Sequence, residues 1–538
     1  MSALSLALPA VLRMPARSLA VGMCVIAPML MFGAMGCSRP APPESRVVHW
    51  LVGRAEPVFD PEGAPDALRW ALERHLSRGL TERDSTGQVR LALADSCAVS
   101  ADSLTWTLRL REGLTFTDGT PLTSAHVVTA LRSGLARTDH ATRGWVLGAV
   151  AGVAGVRAGK PLPALGITAP DARTLVLRLA TPDHALLERL SLPGVSTPWK
   201  SRSGAWRDAI GVGPYRVATA EGERTLTLVA ARACAGEEAT CDTLLIRFVT
   251  GAARVRAALR ANSADVVWPL PPGLLAQALP GEYAVFQRAA VPERRLLLVL
   301  RADVPPTTRP DVRAALVRAL NRDELLSALG ARGTPIRHWL PGALESYSWA
   351  RPEPRTAVRA AARDDRRGAP GRTESYHVVL AYDADLTGAE VARAVQGRWA
   401  RSGHYADLRP VRGAEAAREA LAADAAQTQL VESQALFATP EAELALYVLP
   451  LRGPAVGSVR TGWRVRDQDR WVNLPESSPG FDPDAAQRQL TDAQIVLPLA
   501  LLPWQLAVRN GGIRPAVHPA FGPGWVGPET GSAGARSR

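Results

Sequence analysis

His184 and Glu188 stand four residues apart in "DHALLERLSL", the spacing that brings an imidazole and a carboxylate onto one helix face. Metal hydrolysis or base catalysis needs more than that. No second histidine accompanies the pair, and the chain carries no G-x-S-x-G elbow, no H-E-x-x-H and no P-loop. With no nucleophile, base and oxyanion donor set in view, the pair reads as a solvated helix face, and no enzyme activity is expected.

The cysteines carry more chemistry. Arg13 and Arg17 precede the apolar run "SLAVGMCVIAPMLMFGAMG", the pattern of a secretory signal, for which Met14 would make a more typical start than Met1. The run ends in "AMGC", which resembles a bacterial lipobox. Residues 1–36 are therefore expected to be a lipoprotein signal, Cys37 the lipidated residue, and 37–45, "SRPAPPES" with its prolines, an unfolded tether. An ordinary cleaved signal is the alternative, and either way the mature protein lies outside the cytoplasm, facing the periplasm or cell exterior. In that oxidising setting Cys234 and Cys241, in the single loop "ACAGEEATCD", are candidates for a local disulfide, and Cys97 for a buried thiol. No second cysteine or histidine pair lies at zinc-ligand spacing, so neither a metal nor another cofactor is expected.

The net charge of +12 invites a nucleic-acid reading. Against it, Lys160 and Lys200 are the only lysines. The arginines are spread along a chain equally rich in Ala, Gly and Pro, as a GC-rich genome writes, and no basic run alternates with aromatics. No nucleic-acid partner is expected. The apolar share of 47% is that of a globular protein, and 538 residues exceed one ordinary core, so two or three domains are expected. The membrane is met only through the lipid.

Elements that would position a site follow from periodicity. In "SLTWTLRLREGLTFTDGTPLTSAHVV", Trp106, Leu108 and Leu110 alternate with polar residues, which predicts a strand. Asp118, Gly119 and Pro121 then supply a tight turn, and Thr123 is placed to give its hydroxyl oxygen to the first amides of a helix from Ser124. His126 takes the position where a carboxylate would complete a capping box. An amphipathic helix is predicted with Leu68, Ala71, Leu72 and Leu76 on one side, and a hairpin from Tyr215 to Val229. "RRLLLVLR" and "AQIVLPLALLPWQLAV" are predicted as apolar strands, and a strand, helix, strand unit begins at "YHVVLAYDAD".

With these pieces in order, the chain resembles the family 5 extracellular solute-binding proteins, the dipeptide and oligopeptide receptors of ATP-binding cassette importers. The motif running from Leu110 and Gly113 through Phe116, Asp118, Gly119, Thr120, Pro121 and Thr123 carries the likeness. So do "GVGPY" with Gly213 and Tyr215, "ANSADVVWPL" and "RPDVRAALVRALNRDEL". The resemblance implies an α/β, two-lobe periplasmic-binding-protein type II fold with an extra domain inserted in lobe one. Lobe one would comprise 45–80, 205–295 and 495–538, the insert 81–204, and lobe two 296–494. A monomer that closes over a peptide or peptide-like solute and docks on permease subunits is the implied mechanism. The motif itself, Asp118, Gly119, Pro121 and Thr123, is expected to be scaffold.

One segment departs from the family. Where peptide receptors carry an aspartate for the peptide's α-ammonium, "QALFATPEAEL" aligned on Ala435, Pro440 and Leu444 places Leu436, with Phe437 at the tyrosine. A buried ammonium without a carboxylate is costly by several kcal/mol. Glu432, Glu441 and Glu443 are the nearby candidates for a substitute, and Arg301 stands where the family shows asparagine. Leu436, Phe437, Arg301, Trp463 and Trp504 are therefore the candidate ligand contacts. A diverged receptor of the same fold that senses a ligand or holds a partner is the alternative function.

Overall fold

The computed structural model describes residues 46–54, 67–84, 88–136, 147–153, 165–192, 194–200, 208–221, 224–231, 239, 241–271, 274, 279–288, 294–329, 333–336, 374–384, 388–411, 426–434, 492–511, 516–518 and 522–524. Cys37, Cys234, Leu436, Phe437 and Trp463 lie outside them, as do the expected signal and tether.

Val47–Val52 is an apolar run, and it becomes an inner strand of a seven-stranded sheet. Parallel partners flank it: Thr243–Phe248 on one side and Val266–Val267 on the other. Beyond the first lies the hairpin Tyr215–Glu221 and Thr225–Ala230; beyond the second, Trp504–Arg509 and Tyr283–Arg288 run antiparallel. Val48, Trp50 and Val52 pack on one face with Leu68, Ala71, Leu72 and Leu76 of helix Ala67–Leu76, the side predicted from spacing. Leu51 faces the other way, against Val255 and Leu259 of helix Ala252–Arg260. A strand apolar on both faces has to be covered on both.

A second, six-stranded sheet runs in the order Thr334–Pro335, Val496–Leu502, Arg294–Leu300, Thr428–Gln434, His377–Asp383, Tyr405–Val411. The last two strands flank helix Gly388–Arg401 in sequence and pair in parallel, as a right-sized crossover allows. Leu296, Leu298 and Leu300 pack with Val312, Leu316, Val391 and Val395 from the helices. The alternate residues Leu297 and Val299 join a different cluster, which also holds Trp106, Leu108, Leu175 and Leu177. Those four belong to a separate antiparallel sheet ordered Ala94–Val99, Thr105–Leu110, Thr174–Arg178, Ile167–Thr168.

The chain passes from the seven-stranded to the six-stranded sheet between Arg288 and Arg294 and returns at Pro503. The apolar run around Pro503 is thus two strands in two sheets, not the one strand predicted. Proline has no N–H for a ladder, and the break falls there. The boundary expected at 495 moves accordingly, because Val496–Leu502 pairs with Arg294–Leu300.

Candidate ligand-binding site

The parallel strands fix where a site can lie. In the seven-stranded sheet the carboxyl ends are Val52, Phe248 and Val267, and the chain order switches sides around Val47–Val52. In the six-stranded sheet they are Asp383, Val411 and Gln434. Gln434 pairs with Arg294, and Val267 pairs with Ala507, three residues from Trp504, so both sets of carboxyl ends are turned to the crossing. Open α/β sheets bind ligands at such ends, in the crevice at the switch point.

On the first sheet that rim consists of Gly53, the buried Arg54 and the buried Trp268. Gly53 donates to Pro269 O at 3.1 Å, and a Cβ on Gly53 would lie 2.3 Å from that oxygen, so the strand end and the segment after Trp268 approach as only glycine permits. Trp50 Nε1 donates to Trp268 O at 2.9 Å, and Trp268 meets Trp504 edge to face with centroids 5.5 Å apart. On the second sheet the rim carries Asp383, Gln434 and Arg294. The Arg294 guanidinium donates to Glu432 Oε2 at 2.6 Å and lies over the Trp504 ring, 4.2 Å from its centroid. Glu432, named above as a candidate partner for a ligand ammonium, is therefore engaged by a cation of its own sheet.

Of the described candidates, Trp504 lies at the crossing but is fully buried, with a ring face covered by Arg294. Arg301 is corrected. It sits beyond the opposite end of Arg294–Leu300, roughly 23 Å from Arg294 at ~3.3 Å per residue. It is fully buried, and it donates twice to the Asp303 carboxylate, at 2.9 Å each, which makes it a support for the strand exit and not a ligand contact. Spacing gave no sign of Arg294 or Trp268, because their contacts join residues far apart in sequence; the one trace was the paired arginines that open "RRLLLVLR".

The motif residues make turn and cap contacts of their own. Asp118 Oδ1 accepts the Thr120 amide at 3.0 Å and its hydroxyl at 2.6 Å, and Gly119 takes a left-handed φ of 84°. The Thr120 hydroxyl above all, with Lys200 adding its charge, holds the Asp118 carboxyl at about 2. Thr123 differs from expectation. Its amide donates to His126 Nδ1 at 3.1 Å, and its hydroxyl, predicted to take helix amides, lies 3.0 Å from the same nitrogen. With its Nδ1 taking the Thr123 amide, His126 performs the carboxylate's part of the capping box. The turn ties to "GVGPY" through Thr117 N donating to Gly211 O at 2.9 Å. Gly213 N donates to Leu76 O at 3.0 Å, and Tyr215 Oη accepts the Cys241 amide at 3.1 Å. Cys97 is half-buried, which pushes its thiol pKa up. Glu188 accepts from Arg83, which is buried, and is itself only partly exposed, not the solvated face expected of it.

Two α/β sheets joined by a double crossing, with a further sheet inserted in sequence between strands of the first, define a two-lobed binding protein of the type II periplasmic fold. Residues 88–449 match the profile of bacterial extracellular solute-binding proteins, family 5, and the chain belongs to that family. The fold is similar to the Escherichia coli murein tripeptide binding protein MppA (TM-score 0.72, 18% identity, 87% of this chain and 94% of that one). It is similar as well to Haemophilus influenzae OppA in complex with RPPGFSPFR (0.72, 16%, 90% and 98%) and to the pheromone receptor PrgZ (0.72, 17%, 89% and 98%). In sequence the chain is 32% identical to a dipeptide-binding protein of Lactococcus lactis over 129 residues, 24% of each protein. It is 35% identical to the glutathione-binding protein GsiB of Escherichia coli K12 over 92 residues, 17% of this chain and 18% of that one. These alignments span a quarter or less of the curated relatives.

Proposed function

We propose that this protein is an extracytoplasmic receptor that captures a peptide or peptide-like solute between its two lobes and delivers it to an ATP-binding cassette permease. Family membership across 88–449, together with carboxyl strand ends from both sheets turned to one crossing, carries the reading. The named relatives bind dipeptides, glutathione and oligopeptides, which supports the solute class. No helix among the described residues is long and apolar enough to cross a membrane, and attachment is assigned to a lipid on Cys37 after removal of 1–36. On this reading the lobes divide where the chain changes sheets, between Arg288 and Arg294 and at Pro503, in place of the expected boundaries at 295 and 495.

Leu436 in place of the aspartate, with Glu432 held by Arg294, argues for a solute whose recognition does not rest on a free α-ammonium. The same residues favour the second reading, a receptor of this fold that senses a ligand or holds a partner without feeding a transporter. Thermal melts of the mature chain against di- to pentapeptides, free and N-acetylated, and glutathione test the capture reading. A ligand at a hundredfold its Kd adds about 2.7 kcal/mol to the native state, and a rise in Tm is expected with at least one solute. An intact fold with no shift across the set removes the transport reading.

A further inference from the structure

We propose that Arg294 is a positioning residue for capture: a single guanidinium that clamps the angle between the lobes. The inference rests on the two-lobe reading above, and it concerns the crossing, not the solute.

The return crossing is one residue long. Leu502 pairs with Arg294 in the six-stranded sheet, and Trp504 pairs with Arg288 in the seven-stranded sheet, leaving Pro503 alone between them. A rotation of one lobe against the other has to be absorbed in part by torsions around Pro503. Pro503 has no amide hydrogen to anchor it, so its carbonyl is the group left to hold.

Arg294 holds it. Nη1 donates to Pro503 O at 3.0 Å, Nη2 donates to Glu432 Oε2 at 2.6 Å, and the guanidinium carbon lies 4.2 Å from the centroid of Trp504. These three partners belong to the crossing, to the second sheet and to the first. Glu432 is fixed in the same sheet as Arg294, so the ion pair travels with lobe two and sets the plane of the guanidinium. Trp504 is fixed in lobe one against Trp268, so a change of lobe angle has to alter the cation–ring contact. The side chains of Arg294 and Glu432 are 17% and 9% exposed, dry enough for both contacts to count. A lysine would supply the charge but not a planar fork able to stack and donate in two directions at once.

Small-angle X-ray scattering of the ligand-free mature chain tests this without a solute. Arg294→Met is expected to shift the ratio of lobe arrangements by roughly 5- to 30-fold away from the one with the contact made, seen as a changed distance distribution with unchanged far-UV circular dichroism. Arg294→Lys should shift it less and in the same direction. Trp504→Phe, which keeps a ring, should retain the wild-type profile, while Trp504→Leu should match Arg294→Met and add nothing to it in the double variant, as shared action requires. A wild-type profile in folded Arg294→Met, or additive shifts in the double variant, overturns the proposal. If Arg294→Met does not fold, a wild-type profile in both Arg294→Lys and Glu432→Gln does so. The loss of every solute response in the melts would leave these outcomes standing, so the two readings fail separately.

Discussion

At the scale of the residue, Asp118 shows how a motif can look chemical and be structural. Its carboxylate closes the turn through Thr120 and faces Lys200 at 3.3 Å, and its pKa is drawn down to about 2 from the ordinary 3.8. A carboxyl whose folded pKa is depressed stabilises the fold above its unfolded pKa and loses that contribution as pH falls through the folded value. Asp118→Asn keeps an acceptor oxygen and loses the charge. Urea melts should therefore show a wild-type advantage that is full above about pH 5 and lost progressively towards about pH 1, while an advantage constant across that window would contradict the account. His126 makes a parallel point. The sequence placed it at the capping-box position as an anomaly, yet its ring nitrogen does the same work as a carboxylate oxygen.

Elements tell a different story, because some were readable and some were not. Strand Thr105–Leu110 followed from period alone, since it alternates dry and wetter residues, and the apolar side of helix Ala67–Leu76 was readable too, although the structure also buries its Glu73 and His75. The glycines of "GVGPY" became intelligible only in contact. A Cβ on Gly213 would sit 2.5 Å from the Leu76 carbonyl carbon and 2.6 Å from His75 O, both backbone atoms that cannot step aside. Gly213→Ala should cost about 3 kcal/mol, the upper part of the overpacking range, read as a lowered urea midpoint at constant slope; a change under about 1 kcal/mol would mean that the strand start can move. The run through Pro503 was the misreading. An unbroken apolar string is the same for one strand as for two consecutive strands in different sheets, and only the partners distinguish them.

For the whole molecule, attachment and lobe geometry are separate matters. Cys37→Ala in the full precursor is expected to move the protein from the membrane fraction to the soluble fraction of cells, by far the larger part of it, because it removes the acyl chains that a mature chain would use as anchor. Continued membrane association of the variant would place the anchor elsewhere. The lobes owe their connection to other residues. Leu297 and Val299 pack with the cluster of the four-stranded sheet while Leu296, Leu298 and Leu300 pack with lobe-two helices, so one short strand serves two cores.

By itself the sequence determined the family, the α/β character, the signal-like start and most of the regular elements, because these rest on local period, turn chemistry and a motif rigid enough to survive divergence. It also carries the proposal that Leu436 stands in place of an aspartate, which rests on residue identity alone. Only the tertiary structure decided that Arg301 is buried far from the crossing, that Glu432 is occupied, and that Arg294 touches both sheets and Pro503. Contacts between residues 138 and 209 positions apart leave no local trace, since the pairing that creates them is a property of sheet order and not of neighbouring side chains.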